Sequence, residues 1–409
     1  MHRSFRKTDT ESKSMLHTAR PLIVGSLLAL VLAACAPEEE GILEPADDAL
    51  PEEADEDETD EDTEDAAPDA ADVETFTLRY SAPVASDSDM AQMLDWWADR
   101  VNELSTEAHL EIDAHWGGSL VPPTEVLHGL GAGTLDTGHV GGPYTPGDLP
   151  LTQVVGIPFI TTDAEASARA FAELYEESDA FRAEWDDNDV RVLAWYITTG
   201  ASAGYADEVN SLDDLQGTRL RSIGLIAEAL SLLDVDTQAI AFPEIYESVD
   251  RGVVDGFSGL PFALSVNAGM HEVAPHYVDL QTGTFAISAL VGMSEATWET
   301  LPGSLQDAMV QAGREVLDAA VEIHANEDAQ ACDQFLEAGG TITAFPEDEL
   351  ADWVDAAQAH TAELWLADTV EAGIDEGVAE QFYQDYVQAV ASFEGTGEYE
   401  DGLQACASR

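Results

Sequence analysis

The sequence predicts an α/β fold of two lobes, in each of which helices flank a mostly parallel sheet. The first observation is an alternation of short elements between Asp213 and Pro261. The elements are a strand at 218–222, a helix at 225–233, a strand at 238–241, a helix from Phe242-Pro243 to Gly252, and a strand that begins at 253–255. This β-α-β-α-β order builds a mostly parallel sheet with covering helices. The second observation is length, because residues 75 to 409, about 335 in number, suffice for two lobes.

Arg221 is the residue that type and position together single out. It falls at the carboxyl end of the 218–222 strand, the edge where ligands bind in open α/β sheets. A guanidinium there can hold a carboxylate through two parallel, charge-assisted hydrogen bonds. The alternative is a surface ion pair, in a chain with 82 acidic and 15 basic residues. We favour a ligand role for Arg221 because arginine is scarce, and we expect Arg219 to be exposed.

Several motifs, in the same order along the chain, resemble one protein family. They are LRYSAP, GLGAGTLDTGHVG, LPLTQVVGIPFI, DLQGTRLR with AFPEIYESVDRGVVDG, and MSEATWETLPGSLQDAMVQAG, and they cover roughly residues 75 to 370. Together they are similar to the DctP-type solute-binding proteins of tripartite (TRAP) transporters, with Pro243 where the family has Ser. The resemblance implies a periplasmic-binding-protein-like fold whose long helices bridge the lobes. It also implies capture of a small organic acid, without a cofactor, and delivery to a membrane permease driven by an ion gradient.

The same resemblance extends the candidate binding site beyond Arg221. It implies contacts from Tyr144 in the glycine-rich loop after a strand, from the aromatic Phe242, and from Phe257 and Ser258 after the V-D-G motif. Tyr196, at the end of a predicted strand at 190–196, completes the set. The loop of Tyr144 could equally be a simple turn, and Phe242 could equally be an apolar residue at a helix start. His139 is expected to be a packed core residue.

Two departures from the family pattern narrow the expected ligand. Gly259 stands where sialic-acid-binding relatives have Asn, and Ala201 stands where some of them carry a second arginine. One cation, several aromatic side chains and few polar groups suit a small monocarboxylate with an apolar or aromatic body better than a polyhydroxylated sugar acid.

The resemblance also divides the chain into lobes. Residues 75–198 and 286–325 are expected in the first lobe, and residues 199–285 and 326–409 in the second. The small residues of 197–204 suit a hinge. A return strand at 285–293, one long helix at 305–335 and further helix at 351–386 are expected after it.

The amino-terminal 74 residues are expected to lie outside the fold. Residues 1–35 have the basic start and apolar run of a signal peptide, and the run ends in Leu-Ala-Ala-Cys, which resembles a lipoprotein signal with Cys35 as the lipidated residue. An ordinary signal peptide or a short membrane anchor is the alternative. Residues 36–74 are so acidic and so poor in apolar groups that a solvated tether is expected. The chain is therefore predicted to be extracytoplasmic and anchored to the membrane by lipid alone.

The formal net charge of −67 restricts the partners. Nucleic acid is excluded because phosphate binding needs a basic surface. Self-repulsion at low salt and screening at molar salt predict a halophilic source. With Cys35 lipidated, Cys332 and Cys406 remain as an even pair that can form a disulfide in an exported protein. No cysteine and histidine spacing predicts a metal site.

An enzyme is the less favoured interpretation. The sequence contains no nucleophile-elbow, zinc-protease or P-loop motif. A ligand-sensing lipoprotein that presents its bound acid to a receptor is the stronger alternative to transport, and an exported hydrolase is the weaker one.

Overall fold

The computed structural model of this chain describes residues 73–283 and 286–409. The predicted signal peptide, Cys35, almost all of the predicted tether and Phe285 lie outside these residues. The first strand begins at Glu74, one residue before the predicted start of the first lobe.

The strands of the described residues alternate with helices along most of the chain. The strands are β1 (Glu74–Ser81), β2 (Ala108–His115), β3 (Thr137–Gly141), β4 (Val190–Ile197), β5 (Ala201–Tyr205), β6 (Arg219–Arg221), β7 (Asp236–Gln238), β8 (Gly256–Pro261), β9 (His276–Asp279), β10 (Ile287–Ser294) and β11 (Thr341–Ala344). The α-helices are α1 (Asp89–Leu104), α2 (Val126–Gly131), α3 (Ala164–Glu177), α4 (Asp179–Asp186), α5 (Gly224–Ser231), α6 (Ile245–Asp250), α7 (Phe262–Asn267), α8 (Met270–Val273), α9 (Glu295–Trp298), α10 (Gly303–Glu337), α11 (Glu347–Glu371), α12 (Glu376–Phe393) and α13 (Gly402–Ala407).

Lobe 1 is built on a five-stranded sheet of order β2-β1-β3-β10-β4. β1 pairs in parallel with β2 and β3, and β10 runs antiparallel between β3 and β4. The apolar spacing of α1 buries Met93, Trp97 and Val101 against this sheet, and Ser88 caps the helix by accepting a hydrogen bond from the Ala91 amide.

Lobe 2 is built on a six-stranded sheet of order β11-β9-β5-β8-β6-β7. β6 lies between β8 and β7 and is parallel to both, with α5 between β6 and β7 and α6 between β7 and β8. The predicted β-α-β-α-β unit is therefore confirmed. β5, through which the chain enters the lobe, is antiparallel to β8 and β9.

Two crossings of the chain, the long helices α10 and α11, and the segment after α12 join the lobes. The chain leaves lobe 1 after β4 and enters lobe 2 at β5, and it returns between β9 and β10. The predicted long helix is present as the 35-residue α10. Its first half packs in the lobe 1 core through Met309 and Val316, and its end packs in the lobe 2 core through Cys332 and Phe335.

The carboxyl-terminal helices are shared between the lobes, which differs from the prediction that residues 326–409 belong to lobe 2. α12 packs on α3 of lobe 1, where Phe382 and Tyr386 join the aromatic core around Phe171 and Phe181. A large aromatic core attracts an amphipathic helix regardless of its place in the chain. The lobe 2 share of the tail includes the first half of α11, which packs in a lobe 2 core cluster through Leu350 and Trp353. It also includes α13, which is linked to α10 by the Cys332–Cys406 disulfide that the sequence led us to expect.

No helix among the described residues combines the length and apolar character needed to cross a membrane.

Candidate functional site

Arg221 is the last residue of β6, so its side chain starts from the carboxyl end of a strand in a parallel arrangement. In the register of the sheet it stands beside Gln238 of β7 and Phe257 of β8. This is the sheet edge at which the sequence predicted a ligand-binding cation.

The guanidinium of Arg221 is held by backbone carbonyls. Its Nε donates to the carbonyl of Ile240 at 3.0 Å, and its Nη1 donates to the carbonyl of Ser258 at 3.1 Å. The residue is only 4% exposed, and this burial lowers the pKa of Arg221 to about 10. Arg221 is therefore still charged at neutral pH. Two of its five N–H groups are used, which leaves enough donors for one bidentate carboxylate.

Arg221 differs from the other arginines of residues 73–283 and 286–409 in having no acidic partner. Each of the others lies 2.5 to 3.5 Å from a carboxylate. These are Arg79, Arg100, Arg169, Arg182, Arg191, Arg219, Arg251, Arg314 and Arg409. Arg219 is exposed, as expected, and pairs with Asp255 as an ordinary surface residue does.

Tyr144 approaches Arg221 from the other lobe. It ends a short 3-10 turn, Gly142–Tyr144, that follows β3, and its side chain is half-buried. A Cβ on Gly141 would come within 2.9 Å of the Tyr144 ring, so a side chain at this position would force the ring to move. Burial raises the pKa of Tyr144, and the positive charge of Arg221 acts against that rise. The phenol and the guanidinium are thus close enough to interact electrostatically.

Phe242 is placed by the same segment that holds Arg221. It begins the 3-10 turn Phe242–Glu244, two residues after the carbonyl of Ile240 that accepts from Arg221. Phe242 is 39% exposed, more than any other phenylalanine that the structure describes. Phe242 and Tyr144 are the aromatic members of the set of large apolar side chains that remain exposed in the described residues.

The other predicted contacts are placed differently. Phe257 is fully buried in the lobe 2 core, where its ring packs edge-on against Tyr277, so the ring does not line the cleft. The reason is that β8 is buried on both faces, and Phe257 points to the face covered by the lobe 2 core. Ser258 is also buried, and its observed contact with Arg221 is through its backbone carbonyl.

Tyr196 is buried within lobe 1 rather than displayed to the cleft. Its hydroxyl donates to Asp89 Oδ2 at 2.7 Å, and its ring lies between the rings of His139 and His324. Burial, together with the Asp89 charge, raises the pKa of Tyr196 well above its usual value. His139 is a core residue as expected: its Nε2 lies 2.7 Å from Ser288 Oγ, and burial lowers the pKa of His139 to about 4.

Sequence reasoning missed the groups that orient the guanidinium. They are the carbonyls of Ile240 and Ser258. Gly259, which the sequence did single out, lies next to them, and an added Cβ there would stand 4.0 Å from Arg221 Nη1. Backbone carbonyls have no residue-type signal. Gly259 has a φ of 76°, so a glycine there also satisfies a left-handed backbone that other residues rarely adopt.

Within the part of the chain that the structure describes, no group of three or more His, Cys, Asp or Glu side chains is arranged to hold a metal ion.

A family model described as bacterial extracellular solute-binding protein, family 7 (DctP), matches residues 80–368. The chain belongs to this family. A solute-binding protein from Sulfitobacter sp. (strain NAS-14.1) is 30% identical over 235 residues, which are 54% of this chain and 68% of the relative.

Two solved structures share the fold of this family member. One is a TRAP solute-binding protein from Rhodoferax ferrireducens T118 in complex with copurified benzoate, with a TM-score of 0.69, 21% identity, and coverage of 78% of this chain and 99% of the other. The second is a TRAP periplasmic solute-binding protein from Chromohalobacter salexigens with bound D-glucuronate, with a TM-score of 0.66, 19% identity, and coverage of 76% and 99%. The chain is thus a bacterial extracellular solute-binding protein of the DctP family, a family of solute-binding proteins rather than enzymes. It shares a two-lobed α/β fold with the two solved structures.

Proposed function

We propose that this solute-binding protein captures a small organic acid between its lobes, with Arg221 binding the ligand's carboxylate. The observation that carries the proposal is the state of Arg221: a buried, charged guanidinium that, within the described residues, has no acidic partner. Burying an unpaired charge is costly. Carboxylates are abundant in this protein, and every other described arginine is paired with one. The absence of such a partner at Arg221 therefore indicates that an external anion binds there.

The ligand class follows from the number of cations and from the exposed rings. Residues 73–409 contain no lysine, the other described arginines are paired, and His139 is neutral at pH 7 because of its low pKa. A second carboxylate on the ligand would meet no cation, which favours a monocarboxylate. Tyr144 and Phe242 then offer apolar rings to the body of the ligand.

The ligands of the two proteins of the same fold are consistent with a carboxylate, but they do not distinguish an aromatic acid from a sugar acid. Benzoate and D-glucuronate, bound by the two proteins of the same fold, are both carboxylates. The hydroxyl groups of a sugar acid would require several hydrogen-bond partners, whereas Ser258 is buried and Gly259 has no side chain. Unpaired polar groups in a closed site weaken binding. We therefore favour an apolar or aromatic monocarboxylate.

The proposed transport cycle uses the two crossings as a hinge. An open form admits the acid, Arg221 pairs with its carboxylate, the lobes close, and the closed form docks on the TRAP permease subunits. Lipidation of Cys35 would anchor the protein to the membrane, and the acidic segment 36–74 would act as a tether that lets the folded part reach the permease.

A calorimetric titration in molar salt tests this proposal. The ligands are benzoate, cyclohexanecarboxylate, succinate and D-glucuronate, added to the wild type, to Arg221→Ala, and to Arg182→Ala as a control that removes an exposed, ion-paired arginine. We expect the two monocarboxylates to bind at least tenfold more tightly than the others, and only Arg221→Ala to abolish binding. Tightest binding of succinate or D-glucuronate would refute the ligand class, whereas binding that survives Arg221→Ala would refute the site. Uptake of the acid that requires the permease would separate a transporter from a sensor.

A further inference from the structure

The last sixteen residues, 394–409, run from lobe 1 to lobe 2, and we call this segment the strap. Its first part is held by lobe 1. The amide of Gly395 donates to Asp163 Oδ2 at 3.2 Å, and the amides of Glu398 and Tyr399 donate to Glu165 Oε2 at 3.1 and 3.2 Å. Asp163 and Glu165 belong to the start of α3, and Glu165 is buried. A buried carboxylate that accepts two successive amides is a strong, directional anchor.

The end of the strap is held by lobe 2 through a covalent bond. Cys406 of α13 forms the disulfide with Cys332 of α10. Gly402 lies one helical turn before Cys406 in α13, and Asp328 lies one turn before Cys332 in α10. Gly402 therefore faces Asp328, just as Cys406 faces Cys332. A Cβ on Gly402 would lie 2.1 Å from Asp328 Cγ, which shows how closely the helices approach.

Between its two anchors the strap covers the hinge. A Cβ on Gly200, at the first crossing, would lie 2.1 Å from Asp401 Oδ2 of the strap. A cavity of about 10 Å³, room for about one water molecule, is lined by Gly200 and Ala201 of the first crossing, Gln281, Thr282 and Gly283 of the second, and Asp401, Leu403 and Gln404 of the strap. The crossings are themselves joined by the Ala201 amide, which donates to the Gly283 carbonyl at 3.0 Å.

The strap has little slack. Tyr399 is bound to lobe 1 and helix α13 begins at Gly402, so only Glu400 and Asp401 span the interval. Two extended residues reach about 7 Å. Rotation of the lobes about the crossings would have to break the Glu165 anchor, undock α13 or pull Asp401 away from Gly200.

We propose that the strap is a restraint on the hinge, closed by the Cys332–Cys406 disulfide, that limits how far the lobes rotate. The strap acts on the movement of the lobes and does not contact the Arg221 site. Its release, by loss of the disulfide or of the Glu165 anchor, allows wider rotation. An oxidising compartment keeps such a restraint closed.

Hydrogen exchange measured by mass spectrometry on the full chain in molar salt tests this restraint. One variant, Cys332→Ser with Cys406→Ser, removes the lobe 2 anchor. A second, Glu165→Gln, weakens the lobe 1 anchor and keeps the disulfide. The matched control is Asp136→Asn. Like Glu165, Asp136 accepts hydrogen bonds from an arginine side chain and from a backbone amide, but both donors belong to Arg79 within lobe 1.

We expect exchange in the peptides of both crossings, 198–205 and 276–283, to rise at least tenfold in both strap variants and to be unchanged in the control. Peptides of β1 and α1 should exchange as in the wild type, which excludes global unfolding. If exchange rises only within residues 394–409 while both crossings keep their protection, the strap is merely a docked terminus and the proposal is wrong. Should the double cysteine variant unfold, Glu165→Gln decides the question alone.

Discussion

Arg221 and Asp328 are two buried, ionisable side chains without an ionic partner among the described residues. They differ in their hydrogen bonds and in the charge that each carries at pH 7. Arg221 is 4% exposed at the lobe 2 sheet edge, and Asp328 is 6% exposed on α10 beneath the strap. Two backbone carbonyls accept from the Arg221 guanidinium, whereas neither oxygen of the Asp328 carboxyl has a hydrogen-bond partner.

The comparison shows that burial preserves one charge and removes the other. Burial lowers the pKa of Arg221 to about 10, which still leaves it protonated and positive at pH 7. Burial, reinforced by the charges of Asp401, Glu327 and Asp89, raises the pKa of Asp328 to about 8, so that this carboxyl is mostly neutral at pH 7. Arg221 therefore keeps the positive charge that attracts an anion, whereas Asp328 carries little negative charge at pH 7.

The largest expected effect is the pH dependence that Asp328 imposes on folding. Because its pKa is raised from 3.8 to about 8, its contribution to stability is fully present below pH 4 and is lost as the pH rises through 8. The loss is at most about 6 kcal/mol, from 1.36 kcal/mol per pKa unit. We expect Asp328→Asn to flatten this fall in urea unfolding between pH 4 and 9 in molar salt, with Glu322→Gln, an exposed α10 residue, as the control. Parallel curves for the variant and the wild type would show that Asp328 is ionised in the fold.

The second effect is a loss of ligand affinity that is not accompanied by a loss of folding stability. Arg221→Ala should weaken binding of a carboxylate by about 2–5 kcal/mol, because the ligand's anion would be buried without a partner. The ligand-free variant should at the same time be no less stable than the wild type, since a desolvated charge has been removed. Titration calorimetry and thermal unfolding measure the two quantities. Unchanged affinity would show that Arg221 resembles Asp328 in having no ligand role.

A third test supplies Arg221 with an anion from within the protein. Gly259→Asp would place a carboxylate next to Arg221 Nη1, since a Cβ at this position stands 4.0 Å from that atom. The internal carboxylate would compete with the ligand, and we expect about tenfold weaker binding, or about 1.4 kcal/mol. Gly259→Asn is the matched control, because Asn tolerates a left-handed backbone similarly and has no charge. Equal affinities of the two variants would indicate that the ligand does not bind by its charge.

The smallest expected effect is that of salt on ligand affinity, compared with the effect of salt on folding stability. Raising the salt concentration from 0.1 to 1 M shortens the Debye length from about 10 to about 3 Å, so the stability of a chain with a net charge of −67 should rise. Buried pairs are screened much less, and the affinity of the Arg221 site should change by less than about threefold. A steep fall of affinity with salt would place the bound carboxylate at the surface.

Sequence patterns predicted the position of Arg221 but not the groups around it. The alternation of strands and helices was enough to place Arg221 at a carboxyl edge, because parallel strands joined by helices all end on the same side. The orientation of Phe257 could not be read in this way, since every residue of β8 is buried and the strand has no polar face to set the alternation. The carbonyls of Ile240 and Ser258 were invisible for a different reason, because any residue type supplies them.

The sequence also could not assign α12 to a lobe. Its apolar spacing predicts a helix, whereas the partner of that helix is decided by the aromatic cluster of Phe171 and Phe181, more than 190 residues earlier in the chain. The disulfide was easier to predict, because the proposed lipidation of Cys35 would leave two cysteines, which offer one pairing.

The path of the strap bears on how this protein can be modified in the laboratory. Arg409 lies three residues beyond Cys406 and pairs with Asp333 at 3.0 Å, so an affinity tag or fluorescent protein attached after it would start beside the disulfide. A tag attached at that point would add mass to the strap that we propose restrains the hinge, whereas a tag attached before residue 73 would not.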